Sequence, residues 1–572
     1  MADDVHLVEF DNLVGREAGN RDTRGTGGES HALAMQRGEQ GVWTVEAELP
    51  VGTEYVFRIR HREETFERID PKARAATSSI GRSVMTQDSF EWTDSAFSAA
   101  PLSDWVIYEL HPGTFAGSLD GLVDKLDFIV DIGVNVIELM PVAEFAGDQS
   151  WGYNPALPFA VESSLGGPDA LKRFVNAAHA RGIAVVLDVV YNHFGPSDLD
   201  LWRFDGWSEN EGGGVYFFND WKAKTPWGDT RPDYGRNEVR QFIVDNALMW
   251  IEEFHFDGLR LDSTVNIRNA HGETGPNGDL PEGFSLLATL TDTIRASNPS
   301  AILIAEDLQR DRRLTASTSD NGLGFHLQWS GQFVHTVRSA LEAIEDGERD
   351  VEALMGAIEG THEGANRVVY TESHDEVANG RTRVPAEIDP GDPQSMWAIR
   401  RSGLGAALMM SSVGVPMLFQ GQEWGEEDWF DDARDLKWER RSSRPGVVAL
   451  WRDLINLRTG ADPRARGLSG DRIALHRNDT NRLMLTLWRW GLGGEAASAV
   501  TVINLSSAQE EVQIPVPVLG QWDVVFASDW SGYHKSGSDV VPSSLWTAEG
   551  EAALKIVVPS YGAIILVPVG EK

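Results

Sequence analysis

The 572-residue chain has no cysteine. That excludes a disulfide framework, a thiolate metal site and a cysteine nucleophile, and it fits a reducing compartment. Basic residues are also scarce: 50 Lys and Arg stand against 87 Asp and Glu, a formal charge of −37. Nucleic acid and anionic membrane surfaces both select a basic footprint, so the balance argues against either partner. No uninterrupted apolar run approaches the about 18 residues of a membrane span. The start, Met1-Ala2-Asp3-Asp4-Val5-His6, has no basic or apolar signal segment. A cytoplasmic protein is expected. With 57 Gly and 25 Pro, the composition is not that of a low-complexity or collagen-like chain. There is no P-loop, no His-Glu-x-x-His helix and no Gly-x-Ser-x-Gly elbow, and Gly25-Thr26-Gly27-Gly28 reads as a flexible loop rather than a dinucleotide fingerprint. What is plentiful is tryptophan, 20 against 9 Tyr. Indole faces stack on sugar rings, although core packing accounts for most such residues.

At about 150 residues per domain the length predicts three or four domains. Residues 1–100 read as an N-terminal β-sandwich of carbohydrate-binding type. In it Trp43, Val45, Ala47 and Leu49 alternate with polar residues, Pro50-Val51-Gly52 turns the chain, and Tyr55, Phe57 and Ile59 alternate again as a hairpin. Arg68-Ile69-Asp70-Pro71 reads as the start of a linker. From 101 to 464 the pattern becomes short apolar runs separated by helical periods. The runs are Val106–His111, Asn135–Met140, Ile183–Val189, Phe256–Leu261, Ala301–Ala305, Phe325–Trp329, Arg367–Thr371 and Pro416–Phe419. Pro168–Arg181, closed by Gly182, and Glu238–Phe254 read as helices between them. Eight strands alternating with helices predict a parallel sheet closed as a (β/α)8 TIM barrel. Residues 192–235, rich in Trp, Gly and Asp, read as an inserted excursion over the barrel. Residues 465–572 return to β alternation and predict a C-terminal antiparallel β-sandwich.

Ionisable residues cluster where these runs end. The third run closes in Asp188-Val189-Val190-Tyr191-Asn192-His193, the fourth in Arg260-Leu261-Asp262, the fifth in Ala305-Glu306-Asp307, and the seventh run leads into Glu372-Ser373-His374-Asp375. One such carboxylate reads as a helix N-cap. Four strands sending carboxylates, two His and an Arg to the catalytic end of one barrel read as an active site. The set suits glycoside cleavage. One carboxylate attacks or stabilises the anomeric carbon, and a second, its pKa raised by burial and like charge, protonates the leaving oxygen.

These four strand-end motifs, with Gly258-Leu259-Arg260-Leu261-Asp262, resemble the signature regions of the α-amylase family (glycoside hydrolase family thirteen) in their order. The resemblance implies a retaining enzyme acting on α-linked glucan or malto-oligosaccharides. It implies Asp262 as nucleophile, Glu306 as general acid/base and Asp375 as the third carboxylate holding sugar hydroxyls. Arg260 would orient Asp262 and keep it ionised. His193 and His374 would donate hydrogen bonds to the sugar, Tyr153 would stack on it, and Asp188 would be a structural partner at the same mouth. No cofactor is implied. Asn192 matches a position that ligates calcium in many members, but calcium needs further oxygen ligands that the sequence does not locate. Trp202, Trp207, Trp221 and Trp227 read equally as further sugar subsites or as core of the excursion. Val190–Ser197, His255–Asp262 and Phe419–Trp424 resemble trehalohydrolase-type members, whereas Tyr370–Asp375 and Arg68–Pro71 are closer to glycogen branching enzymes. Hydrolysis of α-(1→4) links is the expected reaction, with glucanotransfer and trehalose release as alternatives. A glucan-binding relative without chemistry is the alternative of another class, and the presence of all four of Asp262, Glu306, Asp375 and Arg260 speaks against it.

Overall fold

The computed structural model describes residues 2–10, 29–87, 89–361, 363–478, 483–491, 493–494, 497–538, 544–548 and 550–569. The Gly25–Gly28 loop lies outside them. At the centre is a closed barrel of eight parallel strands: β1 (Ile107–Leu110), β2 (Val136–Leu139), β3 (Ala184–Val189), β4 (Gly258–Leu261), β5 (Ile302–Ala305), β6 (Leu327–Trp329), β7 (Arg367–Tyr370) and β8 (Val415–Phe419). β8 pairs back onto β1, so no edge is left unpaired. Each strand falls on one of the eight expected runs. The helices Gly167–His179 and Asn237–Glu252 fall where their periods predict, and Gly182 takes φ +77° just past the first. A left-handed residue there is cheap only for glycine.

Side-chain alternation sorts the barrel strands into two faces. Tyr108, Leu110, Ile137, Leu139, Val185, Leu187, Leu259, Leu261, Leu303 and Ala305 pack outward with the surrounding helices in one large core. Ile107, Val136, Ala184, Val186, Ile304, Leu327, Trp329, Val368, Tyr370, Val415 and Met417 fill the inside.

The N-terminal described residues form an antiparallel six-stranded sheet and a two-stranded piece, Gln36–Arg37 with Trp43–Thr44. The expected hairpin between 43–49 and 55–59 does not form. Glu54–His61 is a strand, but Asp4–Phe10 takes one of its edges and Glu64–Arg68 and Ser83–Val84 take the other. Residues 45–49 join no ladder; Val45 and Leu49 are partly covered, while Ala47 is exposed. Arg68–Pro71 is not a free linker either. Ile69 is fully buried, the Asp70 carboxylate accepts from Tyr55, and the Arg68 guanidinium donates to the carbonyls of Phe204 and Arg203. The segment fastens the N-terminal sheet to the excursion, and a cavity of about 380 Å³ lies between them.

The C-terminal region is an antiparallel six-stranded sheet facing a two-stranded one, Glu510–Pro515 with Ala553–Val558. Met484, Val500, Val502, Val512, Ile514, Trp522, Ile556 and Leu566 fill the space between them. The apolar run 554–567 is two strands, Ala553–Val558 and Ala563–Pro568, parted at Pro559. Arg472–Arg477 is an additional strand that the pattern does not single out. Among the described residues no helix is long and apolar enough to cross a membrane.

Candidate active site

The inward-facing positions climb each strand in steps of two. At the lower levels they are apolar or glycine; at the C-terminal mouth they become ionisable. Ile107 is followed by Glu109, Val136 by Glu138, Val186 by Asp188, Gly258 by Arg260 and then Asp262, and Ile304 by Glu306. The C-terminal mouth of a barrel is where catalytic groups converge, since the loops that follow the strands can add to them.

Arg260 is fully buried, and its Nη1 donates to Asp188 Oδ2 at 2.7 Å and to Asp262 Oδ1 at 2.8 Å. Its guanidinium lies 4.4 Å from the Trp329 ring centroid and 5.8 Å from that of Tyr153. The other oxygen of Asp262 accepts from Asn192 Nδ2 at 2.6 Å. Both carboxylate oxygens are thus held, one of them by a fixed cation. Asp188 also accepts from the Tyr153 hydroxyl at 2.5 Å. Burial, opposed by Arg260, pushes the Asp188 carboxyl up to about 7. Tyr153 follows Gly152, whose φ is +95° and where a Cβ would meet the Pro141 carbonyl at 2.3 Å. Only glycine lets the loop pass there and present Trp151 and Tyr153 to the mouth.

Glu306 is half-buried just past β5, and its Oε2 accepts from the backbone N–H of Ser263 at 2.6 Å. Ser263 adopts φ +40°, left-handed and unfavourable for a non-glycine residue, directly after Asp262. Burial raises the Glu306 pKa, Arg260 opposes the rise, and the charges of Asp262 and Asp375 add to it; the group is pushed up to about 8. Asp375 is open at the mouth, its side chain 55% exposed, with Oδ2 3.6 Å from His374 Nε2. His374 is buried, stacked on Tyr153 at 4.9 Å between centroids, and its Nδ1 lies 2.5 Å from Glu109 Oε1. Burial presses His374 toward neutrality, but the carboxylates of Asp375 and Glu109 outweigh it and lift the ring to about 9.

His193 sits beside Asn192. Its Nε2 faces the Tyr153 carbonyl at 2.7 Å and its Nδ1 faces the Asn192 side-chain oxygen. Burial lowers its pKa. One face of the ring stacks on Trp227 at 4.7 Å, and Trp227 remains half exposed. The Asn192 amide is therefore engaged with His193 and Asp262. Among the described residues no group of three or more His, Asp or Glu side chains is placed to hold a metal ion. Of the other excursion tryptophans, Trp202 packs on Phe217, Trp207 lies under Arg236, and Trp221 is exposed near His271.

The fold therefore brings all eight expected site residues to one mouth. It adds Glu109, Glu138, Trp329 and the Ser263 amide, which the sequence reading does not single out. Glu109 and Glu138 carry a usable signal: each is a lone charge inside an apolar strand, two residues above an inward-facing apolar side chain.

The family model described as the alpha amylase catalytic domain matches residues 84–202 and 199–445, and that of the alpha amylase C-terminal all-beta domain matches 476–569. A 1,4-alpha-glucan branching enzyme, GlgB, of Corynebacterium efficiens is 32% identical over 547 residues, covering 88% of this chain and 71% of the relative. A malto-oligosyltrehalose trehalohydrolase of Saccharolobus solfataricus is 32% identical over 439 residues, covering 70% of this chain and 72% of that one. In fold, the chain is similar to a type I pullulanase of Bacillus subtilis crystallised with maltose. That structure aligns at TM-score 0.75 and 21% identity over 100% of this chain and 83% of the other.

Proposed function

The chain belongs to the α-amylase family, and from that premise we propose that it is a retaining enzyme that cleaves α-(1→4)-linked glucan or malto-oligosaccharides by hydrolysis. The observation that carries this reading is the contrast between two carboxylates at one mouth. Asp262 is gripped by Arg260 and Asn192, which fix both of its oxygens at the mouth as a nucleophile needs. Glu306 has one N–H donor and two like charges nearby, which favours the protonated form that a leaving oxygen needs. A carboxyl group raised by its surroundings, beside a carboxylate held by a cation, assigns the acid and the nucleophile.

In the first step Glu306 gives its proton to the glycosidic oxygen while an Asp262 oxygen bonds to the anomeric carbon and the aglycone departs. In the second, Glu306, now the base, takes a proton from water, and the hydroxide formed displaces Asp262 with a second inversion, so configuration is retained. Arg260 holds Asp262 through both steps. Asp375 and His374 would bind hydroxyls of the glucosyl unit, Tyr153 would pack against its ring, and Trp227 together with His193 would bound the neighbouring position. Asp188 would keep Arg260 and Tyr153 in place.

A second reading is transfer of the same glycosyl unit to a sugar 6-hydroxyl. It is favoured by the branching-enzyme relative, which aligns over 88% of this chain. Incubation with amylose separates the two: reducing ends rise under hydrolysis, whereas α-(1→6) links accumulate with few new ends under transfer. Release of free trehalose from maltooligosyltrehalose would mark the third family activity. Asp262→Asn is expected to lower turnover about 10⁴-fold or more while oligosaccharide binding survives. Near wild-type turnover in that variant would refute the assignment of Asp262.

A further inference from the structure

Two carboxylates beneath the mouth have no part in the reaction as described. Glu109, 1% exposed on β1, reaches across the barrel interior to the segment after β7. Its Oε1 is 2.5 Å from His374 Nδ1, and its Oε2 accepts from the backbone N–H of His374 at 3.1 Å. One carboxylate holding both the ring and the backbone of a single residue fixes that residue's tautomer and its rotamer. An ionised carboxylate accepts only, so Nδ1 carries a proton, and Nε2 is left to face Asp375 at 3.6 Å. The rings of Tyr153, Trp151 and Trp329 pack against the imidazole and leave it no other orientation. The charged or titratable groups around it are Glu109 below, Asp375 above, Glu138, Arg260, Asp188 and His111 at the sides, and the Tyr153 hydroxyl, 3.5 Å from Nδ1.

The chain of groups is carboxylate, imidazole, carboxylate. Its outer member, Asp375, is more than half exposed, and Nε2 of His374 is the basic group recorded beside it. An exposed carboxylate that must meet a sugar needs an anchor if it is to be preorganised. Glu138 does not supply the competing charge: both of its oxygens are buried with no hydrogen-bond partner, and burial holds its carboxyl well above the usual carboxylate range, in the neutral form.

Resting on the reading of Asp375 as a sugar-binding carboxylate, we propose that Glu109 is a positioning residue: it holds the ring and the backbone of His374 and aims its Nε2–H outward, so that His374 holds Asp375 toward the glucosyl unit. Glu109 touches no substrate and acts wholly through His374.

The test is Glu109→Gln, with Glu109→Asp as the conservative variant. The side-chain amide can still accept from Nδ1–H, but it has no charge and cannot also accept from the backbone N–H. The ring of His374, followed by NMR of the ¹⁵N-histidine-labelled chain and assigned with His374→Gln, is expected to titrate at a pH lower by about one unit or more in Glu109→Gln. Turnover on maltoheptaose is expected to fall about 10- to 100-fold with a smaller change in KM, and Glu109→Asp to recover part of both effects. In Glu109→Gln/Asp375→Asn the turnover is expected to match Asp375→Asn alone. An unmoved His374 titration, or losses that multiply in the double variant, would overturn the proposal. Should Glu109→Gln not fold, the wild-type spectrum still decides, because a neutral His374 ring at pH 7.5 refutes the relay. The NMR readout needs no activity, so this inference can fail while the glucan reading stands, and the reverse.

Discussion

Glu306→Gln probes the proposed acid most directly. An ordinary glutamate, near 4.5, would be about 0.3% protonated at pH 7, whereas a group at about 8 is about nine-tenths protonated there. The environment thus supplies about 300-fold more enzyme in the acid form. Because the pKa is raised, the acid form is present below the folded value and is lost as pH rises through it. Wild-type kcat/KM on a malto-oligosaccharide is therefore expected to fall about tenfold between pH 7 and pH 9 on account of this group. The amide cannot donate a proton to a leaving sugar oxygen, so Glu306→Gln is expected to lose about 10²- to 10⁴-fold in kcat/KM. Fluoride departs without a proton. With α-maltosyl fluoride as substrate, kcat/KM reports formation of the glycosyl-enzyme alone, and the variant is expected to fall less than about tenfold, with no limb near pH 8. The His374 ring, near 9, titrates at the upper edge of that window, so the Glu306 limb is read from its midpoint near pH 8. A variant within tenfold of wild type on malto-oligosaccharide, or a limb near 8 surviving on the fluoride, would refute the role of Glu306.

Arg260→Met tests the buried bridge. It would leave Asp188 and Asp262 without their shared cation, which is expected to cost about 3–5 kcal/mol, read as a lower denaturant midpoint of the barrel. Arg260→Lys keeps the charge but loses the planar guanidinium that lies over Trp329, and is expected to fall between the two in both midpoint and turnover. Trp227→Ala removes the exposed ring stacked on His193 and is expected to raise KM for maltoheptaose about tenfold, equivalent to about 1.4 kcal/mol, with a smaller change in kcat.

The barrel is legible in the sequence because its strands are buried on both faces, so each reads as a short, mainly apolar run bounded by polar residues. Observed strand ends fall within two residues of the expected ones at β1 through β8. The N-terminal hairpin shows what alternation leaves open. Period two in 43–49 states which side chains share a face; it does not state which strand lies alongside. Asp4–Phe10 is nearly fifty residues away in sequence from Glu54–His61, yet it is the pairing that forms. Likewise Arg68–Pro71 has a turn-like composition, and only the tertiary contacts of Ile69 and Arg68 make it a fastening.

The site divides along the same line. Asp262 and Glu306 stand out because they directly follow apolar runs, where a barrel places its chemistry, and Asp188 because Asn192 and His193 follow close behind it. Glu109 and Glu138 sit one residue short of the ends of β1 and β2 and are masked by the apolar residues that follow them. Counting inward positions by two from Ile107 and Val136 would have found both, since a charge at an inward position of a closed barrel has only the mouth or another interior charge to meet. Ser263 has no such signal: a left-handed φ is expected of glycine, and here it is imposed by the turn that aims an N–H at Glu306. The acid and its nucleophile are thus linked through backbone as well as through charge. A substitution that relaxed this turn, such as Ser263→Gly, would loosen the donor at Glu306 without touching either carboxylate, which separates the contribution of position from that of proton affinity.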